Sequence, residues 1–217
     1  MANLTDLTSK EFLTELASAA PAPGGGGGAA MAGALAAALS SMVCNLTLGK
    51  ERFAAQEAEV ESVLVKAERA RERLLELVQE DAAVFNSFMS CYKLPKATDE
   101  EKVARTAAIR AAAKKAAEVP LAIARESFAV LELADELVVC GNPGVITDGA
   151  CSGLLARAAL RCAEYNVRIN LGLTKDAEWN AQVQAELEAM LTQAEALEAK
   201  LLAVTDKALA SSSYKVK

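Results

Sequence analysis

Apolar and polar positions follow a helical period along most of this 217-residue chain. Between Glu51 and Lys93 no Gly or Pro interrupts the pattern. Apolar side chains recur there at Val60, Val63, Leu64, Ala67, Ala70, Leu74, Leu77, Val78, Phe85 and Phe88. That spacing predicts one long amphipathic helix, or two in register. From Ala29 to Leu48 the chain is apolar almost all round, which predicts a helix buried on every side. Ala29, Gly33 and Ala37 recur four apart on it and let another helix approach closely. The stretch has the length of a membrane span. Its Ala-rich composition, with Ser40, Ser41, Asn45 and Thr47, reads instead as the central helix of a bundle.

Breakers and caps divide the rest. Thr8-Ser9-Lys10-Glu11 has capping-box spacing and predicts a short helix to about Ala19, stopped by Pro21-Ala22-Pro23. Five glycines, Gly24 to Gly28, precede the apolar helix, and Gly49 ends it. Pro95 ends the long amphipathic helix, and Thr98 with Glu101 starts the next. Pro120 is expected to kink or split that helix, which resumes to about Cys140. Gly141-Asn142-Pro143-Gly144 is a second strong breaker. Thr147 or Asp148 is expected to cap a helix to about Ile169, with Gly172 breaking it. Thr174 or Asp176 opens a last helix to about Ala208, and residues 209–217, with Ser211 to Tyr214, are expected to fray. No segment reads as a strand. The fold class is therefore all-α: a single-domain bundle of long helices over residues 1–217, with its core at about 5–208.

Composition narrows the chemistry. The 47 Ala and 28 Leu, with only 4% aromatic residues, favour helix. A net charge of -6 argues against a nucleic-acid-binding surface. The chain has no His, which excludes Ser-His-Asp and Cys-His catalysis and any His-ligated metal. Acid–base work then falls to Asp, Glu, Lys, Tyr or Cys. Five cysteines without a CxxC, after a polar start, predict a reduced cytoplasmic protein with buried thiols and no secretory leader.

Several residues stand out against that background. Asp81 lies in the apolar stripe of its helix, between Leu74, Leu77, Val78, Phe85 and Phe88. A carboxylate there is desolvated, so it serves either as a base with a raised pKa or as a buried structural tie. The glycine run is either a flexible linker or a set of open N–H groups at a helix start, suited to an anion or a flat ligand. Asp148 is an N-cap or a site residue, and Asn142 sits on the Pro-Gly turn beside it. Ser41 and Asn45, and again Asn166 and Asn170, lie four apart, as structural ties or as the polar groups of a pocket. Arg157, Arg161 and Arg168 share one helix face, and Lys93 and Lys96 bracket Leu94-Pro95.

Together these segments resemble the cyclodeaminase domain of the formiminotransferase-cyclodeaminase family. Pro21 to Gly26 with the Ala-rich helix, and then Met42 to Lys50, resemble its opening. Asp81 to Asn86 with Tyr92 to Lys96 are similar to its second block, and Val119-Pro120-Leu121 to a third. Gly141-Asn142, Thr147-Asp148-Gly149 and Asn166 to Leu171 are similar to its last. The similarity runs from about residue 10 to 175. It implies an all-helical homodimer acting on a folate, with neither metal nor cofactor, away from membranes and nucleic acid. Members expel ammonia from 5-formiminotetrahydrofolate to give 5,10-methenyltetrahydrofolate, or hydrolyse that methenyl compound to 10-formyltetrahydrofolate. The resemblance assigns Asp81 and Asp148 to proton transfer. It assigns Asn45, Asn142 and Asn170 to the pterin or one-carbon group. Gly24, Gly25, Gly26 and Gly27 would lie along the folate, and Lys93, Lys96 or an Arg would meet its glutamate tail. Where many members carry Ser after the third Gly, this chain carries Gly27. Cyclodeaminase is the first expectation and cyclohydrolase the alternative. A dimeric scaffold without chemistry and a non-catalytic folate binder are the further readings.

Overall fold

A computed structural model describes residues 3–211. Helix α1 spans Ser9–Leu16, α2 Gly24–Asn45, α3 Glu57–Cys91, α4 Asp99–Cys140, α5 Ile146–Thr174 and α6 Ala177–Ala210. One short 3-10 turn precedes α1 and two lie between later helices, and no strand occurs among the described residues.

Local chemistry explains the helix starts. Thr8 accepts from the Glu11 N–H while the Glu11 carboxylate takes the Thr8 N–H at 2.8 Å. Thr98 and Glu101 close the same box on α4. Asp176 accepts from the Trp179 N–H and starts α6, which settles the choice between Thr174 and Asp176. Asp148 caps nothing: α5 begins at Ile146, after Val145, so Asp148 lies inside its first turn. Helix α5 also runs through Gly172 to Thr174 and stops at Lys175, which is left-handed. Helix α1 ends at Leu16, short of the expected Ala19, and a 3-10 turn at Glu51–Gln56 precedes α3. Of the tail, Leu209 and Ala210 are still helical, and residues 212–217 lie outside the described residues.

The glycine run is not a linker. Gly24 to Gly28 are the first turn and more of α2, with Gly24 entering at φ +58°. Glycine is the poorest helix former after proline. Here packing holds the helix: Gly26 and Gly27 leave no room for a side chain, against Asp81 and Pro23.

Helix α2 is the hub of the bundle, packed against α3, α4 and α5, with α6 lying across α4 and α5. Small residues allow the close approach. Gly33 faces Leu74 and the Ser127 hydroxyl. The Ser40 and Ser152 hydroxyls meet at 2.8 Å, and Ser152 also donates to the Ala36 carbonyl at 2.7 Å. Leu74, Leu77, Val78, Leu131 and Leu160 fill the centre around them. Over its most apolar window α2 is 61% buried by its neighbours. Its length and hydropathy thus match a core helix of the bundle.

Pro120 neither ends nor splits α4, which runs unbroken over its 42 residues. The proline removes the N–H that would have met the Ala116 carbonyl four residues back. Asn170 of α5 supplies the missing donor: its Nδ2 reaches the Ala116 oxygen at 2.9 Å.

Candidate active site

Asp81 lies about two-thirds of the way along α3, on the stripe that packs against α2 and α4. Its carboxylate rests on the α-carbon of Gly26, where a methyl group would overlap it. Burial pushes its pKa up to about 6, and the Gly27 N–H in the first turn of α2 partly opposes that rise. The helix start favours the anion, so desolvation outweighs it here. Among the described residues no cation forms an ion pair with Asp81.

The carboxylate opens into a cleft of about 280 Å³ between α3, α4 and α5. Phe85, Phe88, Pro120, Ile169 and Leu173 supply apolar wall, and Asn166 and Asn170 supply the carboxamides. Asn170 turns its Nδ2 to the backbone of both Ala116 and Asn166. Asn166 donates to the Cys162 carbonyl at 2.8 Å. Its amide lies 3.5 Å from where a Gly25 side chain would begin. A carboxyl with a raised pKa in an apolar slot, beside neutral amides, suits proton transfer on a flat cationic group. A wider groove of about 420 Å³, between α4 and α6, holds Trp179 and the Arg125–Glu186 ion pair. None of the residues expected from the sequence to touch a ligand lines it.

The structure brings together Asp81, Gly25, Gly26, Gly27 and Asn170. Gly24 opens the same turn. A side chain at Gly27 would meet Pro23 at 2.9 Å, so no serine fits there unless Pro23 moves. Lys93 and Lys96 are exposed, just past the end of α3. They follow Tyr92, whose ring meets Phe88 edge-on at 5.3 Å, and Arg105 pins their loop by donating to the Tyr92 carbonyl.

Other expected residues lie apart from this cleft. Asp148 belongs to the first turn of α5 and Asn166 to its far part, about 27 Å along the axis at ~1.5 Å per residue. Asp81 and Asp148 therefore do not form a proton-transfer pair within one chain. Asn45, read as a buried amide, is exposed at the opposite end of α2. Asn142 is buried, with its side chain used inside the fold. It donates to the Leu46 carbonyl at 2.9 Å, accepts from the Gly144 N–H at 3.0 Å, and its own N–H goes to Thr47. It ties the end of α2 to the α4–α5 turn.

The arginine face is ion-paired rather than simply solvated. Arg161 and Arg168 close on the buried Glu164 carboxylate at 2.8 and 3.2 Å, and Arg157 meets Glu198 at 3.4 Å. Of the thiols, Cys44 and Cys140 are buried, whereas Cys151 and Cys162 are exposed, against the expectation of uniformly buried cysteines. Burial pushes the Cys44 and Cys140 thiols up to about 12 and about 11. Asn166 was legible as one of a polar pair in the sequence, but only the fold places it beside Gly25.

This arrangement defines a class: an all-helical protein with a cleft between its helices whose desolvated aspartate rests on a glycine helix start. The chain belongs to the formiminotransferase-cyclodeaminase family, which it matches over residues 8–189. It is 44% identical over 190 residues to a methenyltetrahydrofolate cyclohydrolase of Methylorubrum extorquens, covering 88% of this chain and 91% of that protein. It is 33% identical over 185 residues to the formimidoyltransferase-cyclodeaminase of Sus scrofa, covering 85% of this chain and 34% of that longer protein. In structure it is similar to a formiminotetrahydrofolate cyclodeaminase of Thermotoga maritima, with a TM-score of 0.85 and 28% identity. That likeness covers 95% of this chain and 99% of the other.

Proposed function

We propose that this chain is a methenyltetrahydrofolate cyclohydrolase, converting 5,10-methenyltetrahydrofolate and water into 10-formyltetrahydrofolate. The carrying observation is Asp81, a carboxyl whose pKa burial raises to about 6 in an apolar cleft. The relative of similar length at 44% identity supports this reaction over ammonia expulsion, the first expectation from the sequence.

The chemistry follows from that carboxyl. The methenyl carbon lies between two nitrogens that share a positive charge, and the Asp81 carboxylate complements it. Water attacks that carbon while Asp81 takes one of its protons, giving a neutral hydroxy adduct. The bond from carbon to the ring nitrogen N5 then breaks, and N5 receives the proton held by Asp81. The hydroxyl proton leaves to solvent, and the formyl group stays on N10. One residue with a pKa of about 6 serves as base and then acid. No second aspartate, metal or cofactor is needed. Gly24 and Gly25, at the open start of α2, would line one face of the folate, with Gly26 and Gly27 packed beneath Asp81 and Pro23. Lys93 and Lys96, with opposite charge, would meet its carboxylate tail.

Formiminotetrahydrofolate cyclodeaminase is the second reading, favoured by the structural likeness to the Thermotoga maritima cyclodeaminase. Its substrate also carries a cationic carbon between nitrogens, so the same carboxyl serves. We also propose a cytoplasmic homodimer. Helices α2 and α5 are neighbours, and each leaves an apolar stripe open: Leu35 and Met42 on one, Leu154, Tyr165 and Ile169 on the other.

The test is optical. The purified chain is given methenyltetrahydrofolate, and the loss of its near-ultraviolet band is followed against the uncatalysed rate. Accelerated loss supports the hydrolase. Appearance of that band from formiminotetrahydrofolate, without accelerated loss, replaces it by the deaminase. No effect on either compound, with the protein folded, sinks both.

A further inference from the structure

We propose that Asn166 orients the attacking water across the cleft from Asp81. The inference rests on the hydrolase reading above and adds a residue to it. Asn166 and Asp81 come from different helices, α5 and α3, and converge on consecutive glycines of α2. The Asp81 carboxylate lies on Gly26, and the Asn166 carboxamide lies beside Gly25. Both line the same cleft.

The hydrogen bonds of Asn166 leave its Oδ1 and one N–H of its Nδ2 for a ligand, and the oxygen is the acceptor among them. Its Nδ2 donates to the Cys162 carbonyl of its own helix, which orients the amide. Its Oδ1 accepts no hydrogen bond among the described residues. A carboxamide held by its nitrogen presents its oxygen as a rigid acceptor. A water molecule has two protons to place. With one given to Asp81 and the other directed at Asn166 Oδ1, an oxygen lone pair points away from both, toward the carbon. During the attack the water's oxygen bonds to the methenyl carbon, one proton moves to Asp81, and the second stays on the oxygen.

Asn170 makes a useful contrast. Its nitrogen already serves two carbonyls, those of Ala116 and Asn166, and it binds α5 to α4 at the proline. It therefore positions the wall and the Asn166 backbone, while Asn166 itself faces the reacting group.

The experiment compares Asn166→Ala and Asn166→Ser with the unaltered chain. Steady-state decay of methenyltetrahydrofolate gives kcat and KM. Calorimetric titration with 10-formyltetrahydrofolate gives the product Kd, and circular dichroism checks the fold. We expect kcat to fall at least tenfold in each folded variant, with KM and product Kd within threefold. If the alanine variant does not fold, the serine variant carries the test, because its hydroxyl lies too far back to reach the water. A kcat within twofold of the unaltered chain in either folded variant overturns the role. So does a loss of product affinity as large as the loss of kcat. An unaltered chain that fails to hydrolyse methenyltetrahydrofolate overturns the hydrolase reading instead, and this role falls with it.

Discussion

Asn170 on α5 donates its amide to the carbonyl of Ala116 on α4, the one that Pro120 leaves without its helical donor. A side chain 54 positions away in sequence thus completes the hydrogen bonding of a proline-bearing helix. Asn170→Ala should destabilise the fold by roughly 1–3 kcal/mol, the cost of leaving a buried carbonyl unpaired. In a Pro120→Ala background the helix regains its own N–H, so the same substitution should cost measurably less. Urea unfolding of the four proteins gives the coupling. Equal costs in the two backgrounds would show that the amide does not act through Ala116.

Asp81→Asn separates chemistry from binding. Turnover should fall by about 10²–10⁴, the usual worth of a positioned acid–base group. Product affinity should change much less. In the unaltered chain, kcat/KM should decline as pH falls through about 6, because the base form is lost. A profile that stays flat as pH falls through about 6 would remove Asp81 from the base role.

The same residue sets a pH dependence of stability. Its folded pKa, about 6, exceeds the ordinary value of 3.8. Between those values the folded state binds a proton that the unfolded state has lost, so this group's contribution falls as pH rises through that window. Above pH 6 the ionised, desolvated carboxylate weighs against the fold. Asp81→Asn should therefore have the higher Tm at pH 7.5, and the gap should close toward pH 4. Scanning calorimetry at both pH values reads it. A lower Tm for the variant at pH 7.5 contradicts the desolvated carboxylate.

Two glycines in helices should respond in opposite ways. At Gly26 a methyl group overlaps the Asp81 carboxylate, so Gly26→Ala should displace it and lower kcat/KM at least tenfold. At Gly172 nothing lies nearby, so Gly172→Ala should gain about 0.5–1 kcal/mol from helix propensity and leave activity unchanged. Parallel Tm and rate measurements decide both.

The proposed dimer makes its own demand. Leu154 is 41% and Ile169 72% exposed in the single chain. Replacing both with Glu should give a monomer in sedimentation equilibrium while leaving α5 helical. An unchanged mass would move the interface elsewhere.

Helix identities were legible from local chemistry. The Thr8–Glu11 and Thr98–Glu101 boxes form as their spacing requires. Asp81, set among Leu77, Val78 and Phe85, is desolvated as its place in the stripe implies. What failed depended on distant partners. Five glycines carry no helical signal, and Asp81 of α3 and Asn166 of α5 pack against them in α2. Pro120 reads as a break until Asn170 arrives from another helix. Asn45 and Asn170 look alike as amides on apolar helices. One ends α2 in solvent and the other faces α4, which spacing alone does not distinguish.

The Ser40–Ser152 contact has a bearing on the distant cleft. It joins α2 to α5 at one axial position, because a slip of one residue rotates α2 by about 100° and moves it ~1.5 Å. Gly26 lies about 21 Å from Ser40 on the same rigid rod, at that rise per residue. The two hydroxyls therefore work as an indexing pin: they stop α2 at the setting where a bare α-carbon, and no methyl group, lies under the carboxylate.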